Sequence, residues 1–138
     1  MTFVPAQIAE AMLVHAENCH PEESCGLLAA DPEGHLRMAY PLTNELHSPT
    51  NYTIAPNEHF RAIRHAEAQG WEICGVFHSH PHTQAYPSPT DVRLAPDPGW
   101  LYVVIGMEGR SLPVIRGFRI VSGDIHEEAL TIGERNTP

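Results

Sequence analysis

His78-Ser79-His80, with Asp91 after ten intervening residues, brings two imidazoles and a carboxylate close together along the chain. These three groups are good ligands for a divalent metal. Alternate residues of a strand share a face, so His78 and His80 can converge while Ser79 points away. Three protein ligands plus water is the pattern of a catalytic zinc site, not of a closed structural one. The stretch points to a metal-dependent hydrolase. The same residues also have a bland reading. Ser88-Pro-Thr-Asp91 is a good helix cap in its own right, and ten histidines make an accidental His-x-His plausible. His82 continues the alternation and is a rival ligand, but Pro81 breaks strand geometry ahead of it.

The elements that must hold these groups follow from the pattern. Residues 71–80 are rich in β-formers and run into Pro81, which ends regular pairing. Residues 82–87 read as a loop. Ser88 then sits where an N-cap belongs, Pro89 at the first helical position and Asp91 at the third, opening a short helix through Ala95. That first turn would hold Asp91 rigidly, with its carboxylate free to lean outward. A strand end and a helix start thus aim three ligands at one point.

Around this centre, periodicity predicts a helix over 6–18, with Ile8, Met12 and Ala16 on one face and His20-Pro21 as its stop. A buried strand follows over 25–30, a turn over 31–34 and a hairpin-paired strand over 36–41. The polar stretch 42–55 contains a short extended piece near 52–54. A second helix is expected over 56–69, with Phe60, Ile63 and Ala66 on one face and Gly70 as the stop. Strands are expected over 101–105, 113–121 and 125–132, the last two separated by a turn at 122–124. The final few residues should fray. Strands and helices mix without strict βαβ alternation. The predicted architecture is therefore a mixed α/β fold, one sheet with a few helices packed on it, in a single domain over 1–138.

Composition narrows the function classes. A chain of 138 residues suffices for one domain, which typically buries roughly 70% of its unfolded surface. The formal charge is −9 and all eight basic residues are arginine, with no basic tract. A sequence-independent grip on nucleic acid is not expected. The three cysteines form no CxxC pair, and an odd count without a disulfide framework favours a reducing compartment. The first basic side chain is Arg37, so the charged start of a signal peptide is missing, and no apolar run approaches the ~18 residues of a membrane span. These features predict a cytoplasmic protein without a membrane partner. Cys25 and Cys74 lie in apolar strands and read as core. Trp71 and Trp100 read as packing residues at strand starts. His15, His20, His35, His47, His59, His65 and His126 read as surface residues.

Hydrolysis at such a site also needs a carboxylate outside the ligand set, to take a proton and deliver it to the leaving group. Glu22 and Glu23 precede the 25–30 strand, which could run beside the histidine strand. Taken alone, such a pair is more often solvated.

Together, Pro21-Glu-Glu-Ser-Cys-Gly26, His78-Ser-His-Pro81 and Ser88-Pro-Thr-Asp91 resemble the JAMM metalloproteases, the catalytic branch of the MPN domain family. That family's signature is an upstream Glu, then His-x-His, ten residues and Asp, with Ser three before the Asp. The resemblance implies that His78, His80 and Asp91 are zinc ligands, that Glu23 is the general base, and that Ser88 hydrogen-bonds the reacting oxygen. Glu22 falls at a variable position. The implied fold is a curved mixed sheet with flanking helices, laid out like cytidine deaminase. The implied reaction is amide hydrolysis.

The stretch between Asp91 and the 101–105 strand has no room for the long insertions of eukaryotic deubiquitinases, so the chain looks like the compact prokaryotic form. Thr43-Asn-Glu-Leu-His-Ser-Pro-Thr50 with Tyr52, and Ala85-Tyr-Pro-Ser-Pro-Thr-Asp-Val92, are similar to bacterial hydrolases of sulfur-carrier–cysteine adducts. Those enzymes release cysteine from the C-terminal Gly-Gly of a small ubiquitin-like carrier. The resemblance implies such a carrier as substrate and partner. Its Gly-Gly tail would suit a narrow cleft, and it could add as a strand to an exposed sheet edge near His78. The rival within enzymes is an isopeptidase that removes a ubiquitin-like protein from lysine. The rival outside them is a noncatalytic MPN-type scaffold, a class that generally lacks some of the ligands present here.

Overall fold

A computed structural model describes residues 1–110 and 112–133. The residues expected to fray lie outside that range. The chain runs β1 (Thr2–Pro5), α1 (Ala6–Cys19), β2 (Cys25–Ala30), β3 (Leu36–Leu42), α2 (Pro56–Ala68), β4 (Glu72–His80), α3 (Pro89–Arg93), β5 (Leu101–Gly106), β6 (Val114–Val121), β7 (Asp124–Glu128) and β8 (Leu130–Gly133). A six-stranded mixed sheet has the order β3-β2-β4-β5-β6-β7. Its β4–β5 pair is parallel and every other pair is antiparallel. The expected mixed α/β fold, a sheet flanked by helices, is present.

The apolar patterns explain the layers. Every residue of β2 and of β5 is buried, as expected for strands covered on both faces. On one face α1 packs Ile8, Met12 and Ala16 against Leu28, Phe77 and Val103. On the other, Leu27, Val76, Tyr102, Val104 and Phe118 form a second cluster with Ala62 of α2. Burying each large side chain contributes roughly 1.5–3 kcal/mol. Along β4, Phe77 and Ser79 serve the α1 face, while Val76, His78 and His80 serve the opposite one.

Three expectations need correction. Phe60 is 58% exposed, with the Arg64 guanidinium 5.6 Å from its ring centre. The buried face of α2 is formed by Ala62 and Ala66. At 3.6 residues per turn Phe60 lies about 200° from Ala62, and the small alanines bring the helix close to the sheet. The predicted 125–132 strand is two strands. β7 pairs with β6, whereas β8 pairs in parallel with the unpredicted β1. That pairing joins opposite ends of the described chain, so no local pattern announces it. The sheet edges are β3 and β7. β4 is flanked by β2 and β5, so no free edge runs beside His78.

The turn expected at 122–124 is a two-residue hairpin. Ser122 and Gly123 both have positive φ, 52° and 85°, the backbone twist that suits tightly joined antiparallel strands.

Candidate active site

His78 and His80 lie at the C-terminal end of β4 and are both buried. Their Nε2 atoms are 3.1 Å apart, and Asp91 Oδ2 lies 3.0 Å from the first and 3.1 Å from the second. The Nδ1–H of His80 donates to the Gln84 carbonyl at 3.0 Å. That bond turns Nε2 towards the other two donors, where it donates to Asp91 when the ring is protonated and offers a lone pair when it is neutral. Gly106 permits it, because a Cβ there would run into the backbone of Gln84 and Ala85. Lone pairs converging this closely call for a cation among them. With metal–nitrogen bonds of about 2.0–2.1 Å, neighbouring ligand atoms of a tetrahedral site lie about 3.3 Å apart. The donor set therefore fits a divalent metal with little adjustment. His82 is exposed and packs edge-on against His20, ring centres 5.5 Å apart, away from this cluster.

Asp91 does not lean freely outward. It closes a capping box: Ser88 Oγ accepts the Asp91 N–H at 3.1 Å, while Asp91 Oδ2 accepts the Ser88 N–H at 2.8 Å. The helix start thus uses the oxygen that also faces the histidines. Burial opposes the charge on Asp91, but the hydrogen bonds with His78 and His80 outweigh it and hold the carboxyl well below its usual range. Burial likewise opposes charge on His80, yet its bonds to Asp91 and Gln84 leave its value raised.

Glu23 is 3% exposed, unlike a solvated loop residue. Its Oε1 is buried without a partner. Burial pushes the carboxyl up to about 8, with His80 drawing it down and Asp91 adding to the rise. The β2–β4 register sets Cys25 opposite His78, which puts Glu23, two residues earlier, on the side of His80. Glu22 points elsewhere and meets His47 Nδ1 at 3.2 Å.

Two residues to which the sequence assigned no role hold Glu23 in place. Ser79, on the reverse side of β4, accepts the Ser24 N–H at 2.8 Å and the Ser24 hydroxyl at 3.0 Å. Asn44 is buried and donates from Nδ2 to the carbonyls of Glu23 and Asn51, at 3.1 and 2.9 Å. Its Oδ1 accepts the N–H groups of Leu46 and Thr53. A short polar residue followed by a turn-rich stretch was the available signal. The Glu23 N–H donates to the Ser48 carbonyl, closing the same loop.

Other assignments divide. Cys25 is fully buried and its thiol is pushed up to about 12 by burial, so it is core. Cys74 is half-buried and packs against the α1-side cluster. His15 is not a surface residue. Its Nε2 lies 3.1 and 2.9 Å from the carbonyls of Cys25 and Leu42, because α1 turns that position onto the start of β2.

Sheet, helices and converging donors define a metallopeptidase domain of the JAB type. Residues 5–121 match the model for prokaryotic homologs of the JAB domain, and the chain belongs to that family. A CysO-cysteine peptidase of Mycobacterium tuberculosis is 37% identical over 134 residues, covering 96% of this chain and 91% of that protein. A probable TtuB-protein conjugate cleaving protease of Thermus thermophilus is 32% identical over 133 residues, covering 94% and 82%. The solution structure of the protein DSY2949 from Desulfitobacterium hafniense superposes with a TM-score of 0.87 at 36% identity, covering 98% of this chain and 94% of that one. A JAB1/MPN domain protein from Archaeoglobus fulgidus shares the fold, with a TM-score of 0.65 at 18% identity over 97% of this chain and 100% of that one.

Proposed function

We propose that this protein is a zinc-dependent amide hydrolase acting at the C-terminal Gly-Gly tail of a ubiquitin-like sulfur-carrier protein, and that it releases cysteine from a carrier–cysteine adduct. The observation that carries the reading is Glu23: a buried carboxyl, one oxygen without a partner, beside three converging metal donors. Such a group has no use in a scaffold and a direct one in hydrolysis. The names of the Mycobacterium and Thermus relatives support the carrier as substrate.

His78, His80 and Asp91 would hold the zinc, which when bound supplies a Lewis acid and a water acidified towards neutral pH. Glu23 takes a proton at its free Oε1 and delivers it to the departing amine. A nearby cation draws its value down from about 8 towards neutrality, where one carboxyl can both accept and donate. Ser88 steadies the carbonyl oxygen as it gains charge. The capping bond occupies a lone pair of Ser88 Oγ and leaves the hydroxyl hydrogen to donate, so one hydroxyl serves both tasks. Asn44 and Ser79 keep the Glu23 segment in register with β4.

The second reading is removal of a ubiquitin-like protein from lysine, favoured by the conjugate-cleaving name of the Thermus relative. A carrier–cysteine adduct and a carrier–lysine conjugate are offered side by side to the metal-loaded protein, and the released products are followed by mass. A higher kcat/KM for the cysteine adduct supports the proposal. Preference for the lysine conjugate overturns the leaving group, and inertness towards both overturns the enzyme. No described helix is long and apolar enough to cross a membrane. The three cysteines are free thiols, which supports a reducing, cytoplasmic setting.

A further inference from the structure

A Gly-Gly tail leaves part of this site unexplained. Beside His78 and Asp91 opens a basin of about 500 Å³. Its floor is apolar sheet surface, including Val76, Tyr102, Val104 and Ile120, and the loop around Ile54 forms one wall. Leu46 and Leu94 stand on its rim, 52% and 64% exposed. Two glycines present no side chain to such a space. Apolar walls of this kind gain most by covering an apolar group.

The register of β4 says which arm of the substrate reaches the basin. Val76, His78 and His80 follow one another on one face of the strand, successive members roughly 6–7 Å apart. Glu23 lies at the His80 end and Val76 is part of the basin floor. A departing amine must sit by the group that protonates it, at the Glu23 end. The acyl arm then runs the other way, past His78 towards Val76. Two extended residues span roughly 7 Å, so Gly-Gly carries the chain from the metal centre to the mouth of the basin.

We propose that the basin is a specificity site for a large apolar side chain in one of the two positions just upstream of the substrate's Gly-Gly, and that Leu46 and Leu94 close over it. This rests on the amide-hydrolase reading and narrows its substrate class to tails of apolar-then-Gly-Gly type. The metal centre sets where the bond breaks, and the basin sets which tails are presented to it.

The test uses peptides ending in Gly-Gly joined by an amide to cysteine, with Leu or Asp at each of the two upstream positions. Leu at the preferred position should raise kcat/KM roughly 10- to 100-fold over Asp, the range expected for burying one such side chain. Leu46→Asp and Leu94→Asp change exposed rim residues and should erode that preference, mainly through KM. Calorimetric binding of the free-acid products to the metal-free protein supplies a readout that needs no hydrolysis. Hydrolysis with equal kcat/KM for Leu and Asp at both positions overturns the basin and leaves the hydrolase standing. Selective binding of the Leu product without turnover of any adduct supports the basin and overturns the hydrolase. Absence of both selective binding and turnover overturns the two together.

Discussion

The phenol ring of Tyr52 stacks on the imidazole of His78, ring centres 4.8 Å apart and planes inclined by 29°. The contact links the 44–54 loop to a metal-ligand candidate on β4, two elements far apart in sequence. Stacking limits the directions in which the His78 ring can turn, and supports around a ligand typically matter 10- to 100-fold in metal affinity. Tyr52→Phe keeps the ring and should bind metal as the parent does. Tyr52→Ala should weaken binding at least about 10-fold. Competition with a chromogenic chelator measures both, and equal affinities for the two variants would remove the stack from the account.

Glu23→Gln keeps the size of the side chain and removes its capacity to take a proton. It should lower kcat about 100- to 10,000-fold, the span typical of general acid–base groups. Metal content should be unchanged, because Glu23 lies outside the His78, His80 and Asp91 cluster. Elemental analysis beside single-turnover kinetics separates the two. Loss of metal in step with activity would move Glu23 from proton carrier to ligand.

Ser88 has one observed task, capping the helix, and one proposed, steadying the oxyanion. Removing an oxyanion donor costs roughly 100- to 1,000-fold in kcat, whereas loss of a Ser cap costs about 0.5–2 kcal/mol of stability when Ala replaces it and only a few tenths when Gly does. Ser88→Ala should therefore lose both turnover and thermal stability, and Ser88→Gly mainly turnover. If turnover in Ser88→Gly recovers along with stability, the hydroxyl acts only as the cap seen at Asp91.

The parts legible in the sequence were those with local signatures. The alternation of His78 and His80, the Ser-Pro-x-Asp helix start and the Gly70 stop each depend on neighbours within a few residues, and each is found in place. Glu23 was legible only through family resemblance, since its segment is held by Ser79, which binds the neighbouring Ser24 from 55 residues away, and by Asn44, which binds Glu23 from 21 residues away. The β1–β8 pair failed for the same reason. Phe60 failed because a periodic apolar residue was counted towards the core where alanines already filled the contact. Distance in sequence, more than chemistry, separates what was read from what was not.

Metal-free protein should lose stability as pH rises from about 5 to 8. Glu23 has a folded value of about 8 against an ordinary 4.5. A value raised by folding stabilises fully below the ordinary value and ceases to do so as pH climbs through the folded one. His80, also raised, acts in the same direction. Asp91 is lowered, so its contribution is present above the ordinary carboxylate range and lost only in stronger acid, outside this window. Metal reverses the sign, because its ligands must be deprotonated and binding strengthens as pH rises. The gap in Tm between loaded and stripped protein should therefore widen from pH 5 to pH 8. Stripped Glu23→Gln should show a flatter slope, since its amide stays neutral throughout. Calorimetry on both proteins, with and without chelator, checks this. A stripped parent whose Tm rises over that range, or a variant with an unchanged slope, would mean that Glu23 is not held protonated by its burial.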